Sequence, residues 1–167
     1  MGINNASYLE VQDRQSATVG SLGLSVSTRA SRTDIDQASG FLVVSSKAPA
    51  NRMTEQSNLM IDTLTSASFN EGGRIKELIS QMRARRDQSI SGAGHSLAMT
   101  AASAGMSPLA SLYHRQSGLE GIKRLRQIDD RIADTGEVEK MGASLTALRD
   151  HLPVSYTHLT LPTNREV

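Results

Sequence analysis

The chain has 167 residues, and its 18 Lys+Arg stand against 17 Asp+Glu for a formal charge of +1. That balance gives no overall attraction to nucleic acid or to an anionic membrane, so any basic patch must be local. There is no cysteine and no Trp, and aromatics are only 3%. Disulfide scaffolds, thiolate zinc sites, thiol nucleophiles and the base-stacking platforms of single-strand binders are therefore excluded together.

No apolar run approaches the roughly 20 residues that span a bilayer. The start, Met1-Gly2-Ile3-Asn4-Asn5, lacks the basic and then apolar regions of a signal peptide. The expectation is a soluble segment with neither a membrane nor a nucleic-acid partner, its compartment left open.

Residues 1–18 are polar and weakly patterned. They read as a frayed or partial N-terminal segment in which Tyr8, Leu9 and Val11 form at most a short strand. Residues 19–28 alternate, with Leu22, Leu24 and Val26 on one side and Gly23, Ser25 and Ser27 on the other, which predicts a half-buried strand. Thr33-Asp34-Ile35-Asp36 is a polar connection. Phe41 to Lys47 is a short apolar run, predicted to be a strand covered on both faces and paired with the first as an antiparallel hairpin.

After Pro49 the period becomes helical. Asn51 or Thr54 is the expected cap of a helix with Met60, Leu64 and Ala67 inward. Asn70 is the expected cap of the next, whose Ile75, Leu78, Ile79 and Met82 recur at i, i+3, i+4 and i+7. Gly92 and Gly94 break it. Residues 96–106 are small and apolar, suited to a buried, closely packed helix. Ser107-Pro108 starts a further helix, and Ser117-Gly118-Leu119-Glu120 fits a capping box before Ile122, Leu125, Ile128 and Ile132. A last helix follows Gly136, with Val138, Met141, Leu145, Leu148 and Leu152 on one face. The expected fold class is α+β: a small antiparallel sheet, incomplete for so many helices, followed by about five helices.

Pro153 to Val167 is set apart. Ordinary codons for this stretch rebuild a transposase-type sequencing adaptor read in frame, so it is expected to be an artefactual tail, with the native sequence cut near Leu152. Tyr156, His158, Arg165 and Glu166 are accordingly given no role.

Catalytic patterns are missing. Neither H-x-x-E-H nor H-E-x-x-H occurs, the spacings that place two imidazoles and a carboxylate together on a helix to bind zinc. His95, His114 and His151 are far apart in sequence and read as ordinary histidines. There is no G-x-S-x-G or S-x-x-K nucleophile motif. The acidic pairs Asp34/Asp36 and Asp129/Asp130 read as loop and helix-surface residues. Gly92-Ala93-Gly94-His95 lacks the third Gly of a dinucleotide fingerprint and the Gly-Lys-Ser/Thr of a P-loop, and it follows a helix, so it reads as a break between helices. Arg83, Arg85 and Arg86, with Arg74 and Lys76 upstream, form the one basic cluster. It reads as a solvated helix face, with attraction for an acidic surface or nucleic acid as the functional alternative. The predicted site is thus empty: no catalytic, cofactor-binding or metal-binding residue.

A resemblance joins these segments. Gly23-Leu24-Ser25-Val26-Ser27 is similar to the Gly-(Ile/Leu)-Ser-x-Ser strand of presequence-protease-like members of the insulinase/pitrilysin family. Phe41 to Ala48 resembles their following strand, with Ser46 where Gly is usual. Asn70 to Gly94 resembles the long helix running into Gly-Ser-Gly-His, and Ser91 to Ala98 is the nearest local match. The resemblance runs from about Val19 to Leu152. It implies that residues 19–152 form a truncated peptidase-associated domain, the third in such a protease, within one half of a clam-shell insulinase-type fold. It implies a parent zinc metalloendopeptidase (a hydrolase) that degrades short unfolded peptides inside an enclosed chamber. The zinc would be held in the N-terminal half. This segment would be inactive alone, helping to wall the chamber and packing on the parent's other domains. The alternative is a stand-alone helical protein-interaction module without protease activity.

Overall fold

Ser7 opens a helix where the alternation of Tyr8, Leu9 and Val11 predicts a strand. In a computed structural model that describes residues 2–152, Ser7 and Glu10 form a reciprocal capping box on helix α1, Tyr8–Thr18. Ser7 N donates to Glu10 Oε2 at 2.8 Å and Glu10 N donates to Ser7 Oγ at 3.4 Å. Two orphan amides are thereby satisfied at once, which outweighs a three-residue apolar alternation. Residues 2–3 are not frayed. Gly2–Ile3 is a strand, β1, paired antiparallel with a later strand, β4 (Ala67–Ser68), and Ile3 is buried against Val19 and Leu59.

The hairpin is present in the expected sense. Strand β2, Ser21–Ala30, pairs antiparallel with β3, Ala38–Lys47, from Ser21↔Lys47 to Ala30↔Ala38. The polar connection closes on itself: Ser31 N donates to Gln37 O, and Asp36 N donates to the Asp34 carboxylate at 2.9 Å. Strand β3, however, is not covered on both faces, since Phe41, Leu42 and Val43 are exposed. The reason is the strand count, because a two-stranded ribbon without neighbours cannot bury its middle. Cross-strand pairing puts Leu22, Leu24, Val26, Leu42 and Val44 on one face. Helices cover only the ends of that face, where Leu22 packs on the first core cluster and Thr28 Oγ1 meets Tyr113 Oη at 3.4 Å.

A 3₁₀ turn, Ala50–Arg52, leads into α2, Met53–Thr65. Neither Asn51 nor Thr54 caps it. Arg52 holds the cap position, its N–H already bonded to Pro49 O. The buried residue is Leu59, one position off the expected stripe, and Ala67 falls in β4. Helix α3 spans Gly72–Ser89 with Glu71, not Asn70, at its cap. Ile75 is buried at its start while Met82 is 51% exposed. Helix α4, Gly94–Ser103, buries Leu97 but leaves Met99 exposed, so it is a one-sided helix, not a fully buried one.

Ser107 caps α5, Pro108–Ser117, as expected, accepting from Ala110 N at 3.1 Å. The expected capping box of α6, Leu119–Arg131, does not form, because its cap is Gly118. Gly118 both closes α5, donating to Tyr113 O and His114 O, and opens α6. A Cβ there would lie 2.8 Å from His114 O, so this corner requires glycine. Asp134 caps α7, Thr135–His151. A second core cluster of Ile75, Ile132 and Val138, with Phe69, Ile79, Ile128 and Met141 around it, joins α3, α6 and α7. The class is α+β: two small antiparallel pairs of strands and seven α-helices among the described residues. The tail expected to be artefactual lies outside the described residues.

Candidate functional site

Helix α3 carries five of the basic residues, and the fold puts them to different uses. Arg74 pairs with Glu77 at 2.6 Å and its guanidinium lies 5.1 Å from the centroid of the Tyr8 ring. Lys76 donates to Ala133 O at 3.1 Å. Arg83 is the hub of a network: Nη1 donates to Asp129 at 2.9 Å and to Asp130 at 2.7 Å, with Asp87 at 3.8 Å. Ser80 donates to the other oxygen of Asp129 at 2.7 Å, and Arg126 pairs with Asp87 at 2.8 Å. The Ser80 hydrogen bond, followed by that of Arg83, holds the Asp129 carboxyl below its ordinary pKa. Asp129/Asp130 are thus the tie between α3 and α6, not an acid–base pair.

One turn further along, Arg86 has no such partner. It lines a cleft of about 200 Å³ together with Met82 from α3, Arg115 and Gln116 from α5, and Gly121, Ile122, Arg124, Leu125 and Ile128 from α6. Among the described residues the side chains of Arg86, Arg115 and Arg124 form no ion pair or hydrogen bond. The cleft exists because α5 and α6 meet at a tight corner. A Cβ on Gly121 would stand 2.5 Å from Gln116 O, so only glycine lets α6 pass this close under the end of α5. Its floor is apolar and its rim cationic. Arg86 belongs to the cluster legible in the sequence, whereas Arg115 and Arg124 join it only through the packing of α5 and α6.

The other singled-out residues are dispersed. His95 is exposed in the first turn of α4. His114 Nε2 is 3.9 Å from Glu120 Oε2, and His151 Nδ1 lies 2.7 Å from Ala147 O. Gly92 to His95 is the joint between α3 and α4, with Ala93 N donating to Ser89 O. Asp34 and Asp36 organise the hairpin turn. Among the described residues no three His, Asp or Glu side chains gather to hold a metal ion, so the residues present do not fit the zinc that the resemblance assigns to the parent. No helix among them is long and apolar enough to cross a membrane.

Residues 1–128 match the family model for the peptidase-associated domain of metallopeptidase family 16, subfamily C. The chain belongs to that family. It is 24% identical over 152 residues to "Presequence protease, mitochondrial" of Danio rerio, an alignment covering 91% of this chain and 14% of that protein. It is 26% identical over 117 residues to "Presequence protease 1, chloroplastic/mitochondrial" of Arabidopsis thaliana, covering 70% of this chain and 11% of that one. The chain therefore spans only a small part of either relative's length. The matches agree with the order of motifs from Gly23 to His95 and place the chain as an associated domain of a peptidase.

Proposed function

We propose that this chain is a non-catalytic domain of a larger zinc metalloendopeptidase, in which residues 19–152 wall the peptide chamber and pack on the parent's other domains. The observation that carries the reading is the family match across residues 1–128. The dispersal of the histidines and the structural use of Asp129 and Asp130 support it, since catalysis needs a nucleophile, base or metal set held together. The zinc chemistry and the peptide substrates belong to the parent, and this chain contributes surface and shape. The test is a peptide-cleavage assay on the purified chain, with and without added zinc and with a chelator. No cleavage is expected under any condition. Zinc-dependent, chelator-sensitive cleavage would overturn the reading.

A further inference from the structure

The cleft between α3, α5 and α6 has a chemistry of its own. At about 200 Å³ it is smaller than the roughly 300–1,000 Å³ of ordinary small-molecule sites. Its floor (Met82, Ile122, Leu125, Ile128) has room for one apolar side chain. Its rim carries the three arginines left unpaired, although Arg83 and Arg126 on the same helices are neutralised by Asp87, Asp129 and Asp130. A half-exposed methionine beneath three free guanidiniums calls for an occupant that is both apolar and anionic.

From this complementarity we infer that the cleft is a docking site for an acidic polypeptide segment, one apolar residue seated on Met82, Ile122 and Leu125 and flanking carboxylates paired with Arg86, Arg115 and Arg124. Arginine suits the role because its planar fork pairs with carboxylates in two-point fashion. The occupant is not a nucleic acid, because no aromatic ring lines the cleft for bases to stack on. Nor is it a leader peptide of the mitochondrial type, since those are Arg-rich and poor in acidic residues, and the rim would repel them. The proposed chamber-wall role thus does not extend to this cleft, which rests on its own geometry.

The test uses the full chain and two 12-residue probe peptides with the same leucines at helical spacing, one filled out with Glu and the other with Lys. Amide NMR shifts locate binding, and mass spectrometry reports whether each probe stays intact. The Glu probe is expected to move the signals of Met82, Arg86, Gly121, Ile122 and Leu125 and to weaken as salt rises. Arg86→Glu with Arg124→Glu is expected to weaken the Glu probe about tenfold and to favour the Lys probe. Both arginines are exposed, and unchanged circular dichroism of the double variant shows that the fold is kept. Equal binding of the two probes, shifts confined to β2 and β3, tighter binding of an oligo-dT strand, or signals at the cleft that change with chain concentration alone would each overturn the inference. The last outcome would mark a self-association face. Cleavage of a probe would instead overturn the non-catalytic reading and leave the cleft's preference to be read separately.

Discussion

Leu59 is the one large side chain fully withdrawn from solvent among the described residues, at 0% exposure, and it joins four elements: α2 on which it sits, β1 through Ile3, the end of α1 through Val19, and β2 through Leu22. Leu59→Ala removes atoms that have no route to water in the folded state. The surrounding groups are held by strand pairing and by helix caps, so collapse around the void is limited. The expected cost is about 3 to 5 kcal/mol, the transfer of the lost methyl groups plus the cavity left behind. For a chain of this size that corresponds to a fall in Tm of roughly 10 °C. The control is Leu24→Ala, since Leu24 is 59% exposed on the hairpin. It should change stability by no more than about 0.5 kcal/mol. Both are read by thermal and urea unfolding followed by far-ultraviolet circular dichroism, with the urea slope unchanged. Equal effects of the two substitutions, or a Tm change under about 3 °C for Leu59→Ala, would refute the placement of the core.

Three further outcomes follow from local geometry. Gly142→Ala places a Cβ 2.7 Å from Phe69 O, a backbone atom that cannot swing away, and should cost about 1 to 3 kcal/mol by pushing α7 off the second cluster; a neutral effect in urea unfolding would count against that approach. Ser7→Ala removes the side-chain half of the capping box and should cost about 1 kcal/mol, with faster amide exchange confined to the first turn of α1. Asp129 has a folded pKa held low, first by Ser80 and then by Arg83. Its stabilisation is therefore full above the unfolded value of about 4 and is lost as pH falls through the lower folded value. The stability gap between the native chain and Asp129→Asn should accordingly shrink below about pH 4, and a gap that stays constant from neutral pH into strong acid would exclude this carboxylate as the source.

Much of the architecture is legible because its signals are local. The Leu22/Leu24/Val26 alternation gives β2, and the Ser107-Pro108 pair gives the start of α5. The i, i+3, i+4, i+7 series of Ile75 to Met82 gives α3, although its last member points into a cleft and not into the core. The missed helix α1 also carried a local signal, the Ser7-x-x-Glu10 spacing, which competed with three alternating apolar residues and prevailed. The position of Leu59 was not legible. Met60 and Leu64 fit a helical stripe equally well, and only β1 and α1, packed from distant sequence, choose between neighbouring faces of α2. The same holds for the cleft: Arg115 and Arg124 look like ordinary surface residues until the Gly118 and Gly121 corner folds α6 beneath α5.

A formal charge of +1 conceals how unevenly the charge is used. Net charge governs long-range attraction, but pairing governs what a surface offers at contact distance. Arg83 and Arg86 lie one turn apart on α3 and have opposite fates. Arg83 faces the end of α6, where Asp129 and Asp130 stand. Arg86 faces the α5–α6 corner, where the neighbouring charged residues lining the cleft are Arg115 and Arg124. An acidic residue at either of the latter positions would have made the cleft self-satisfied, as the Arg83 network is. Three like charges converging on an apolar floor cost the isolated chain some repulsion, and that cost is relieved only when an anionic group arrives. The near-neutral composition argues against a polyanion along the whole surface, and the same composition leaves this one place able to discriminate between an acidic segment and a basic one.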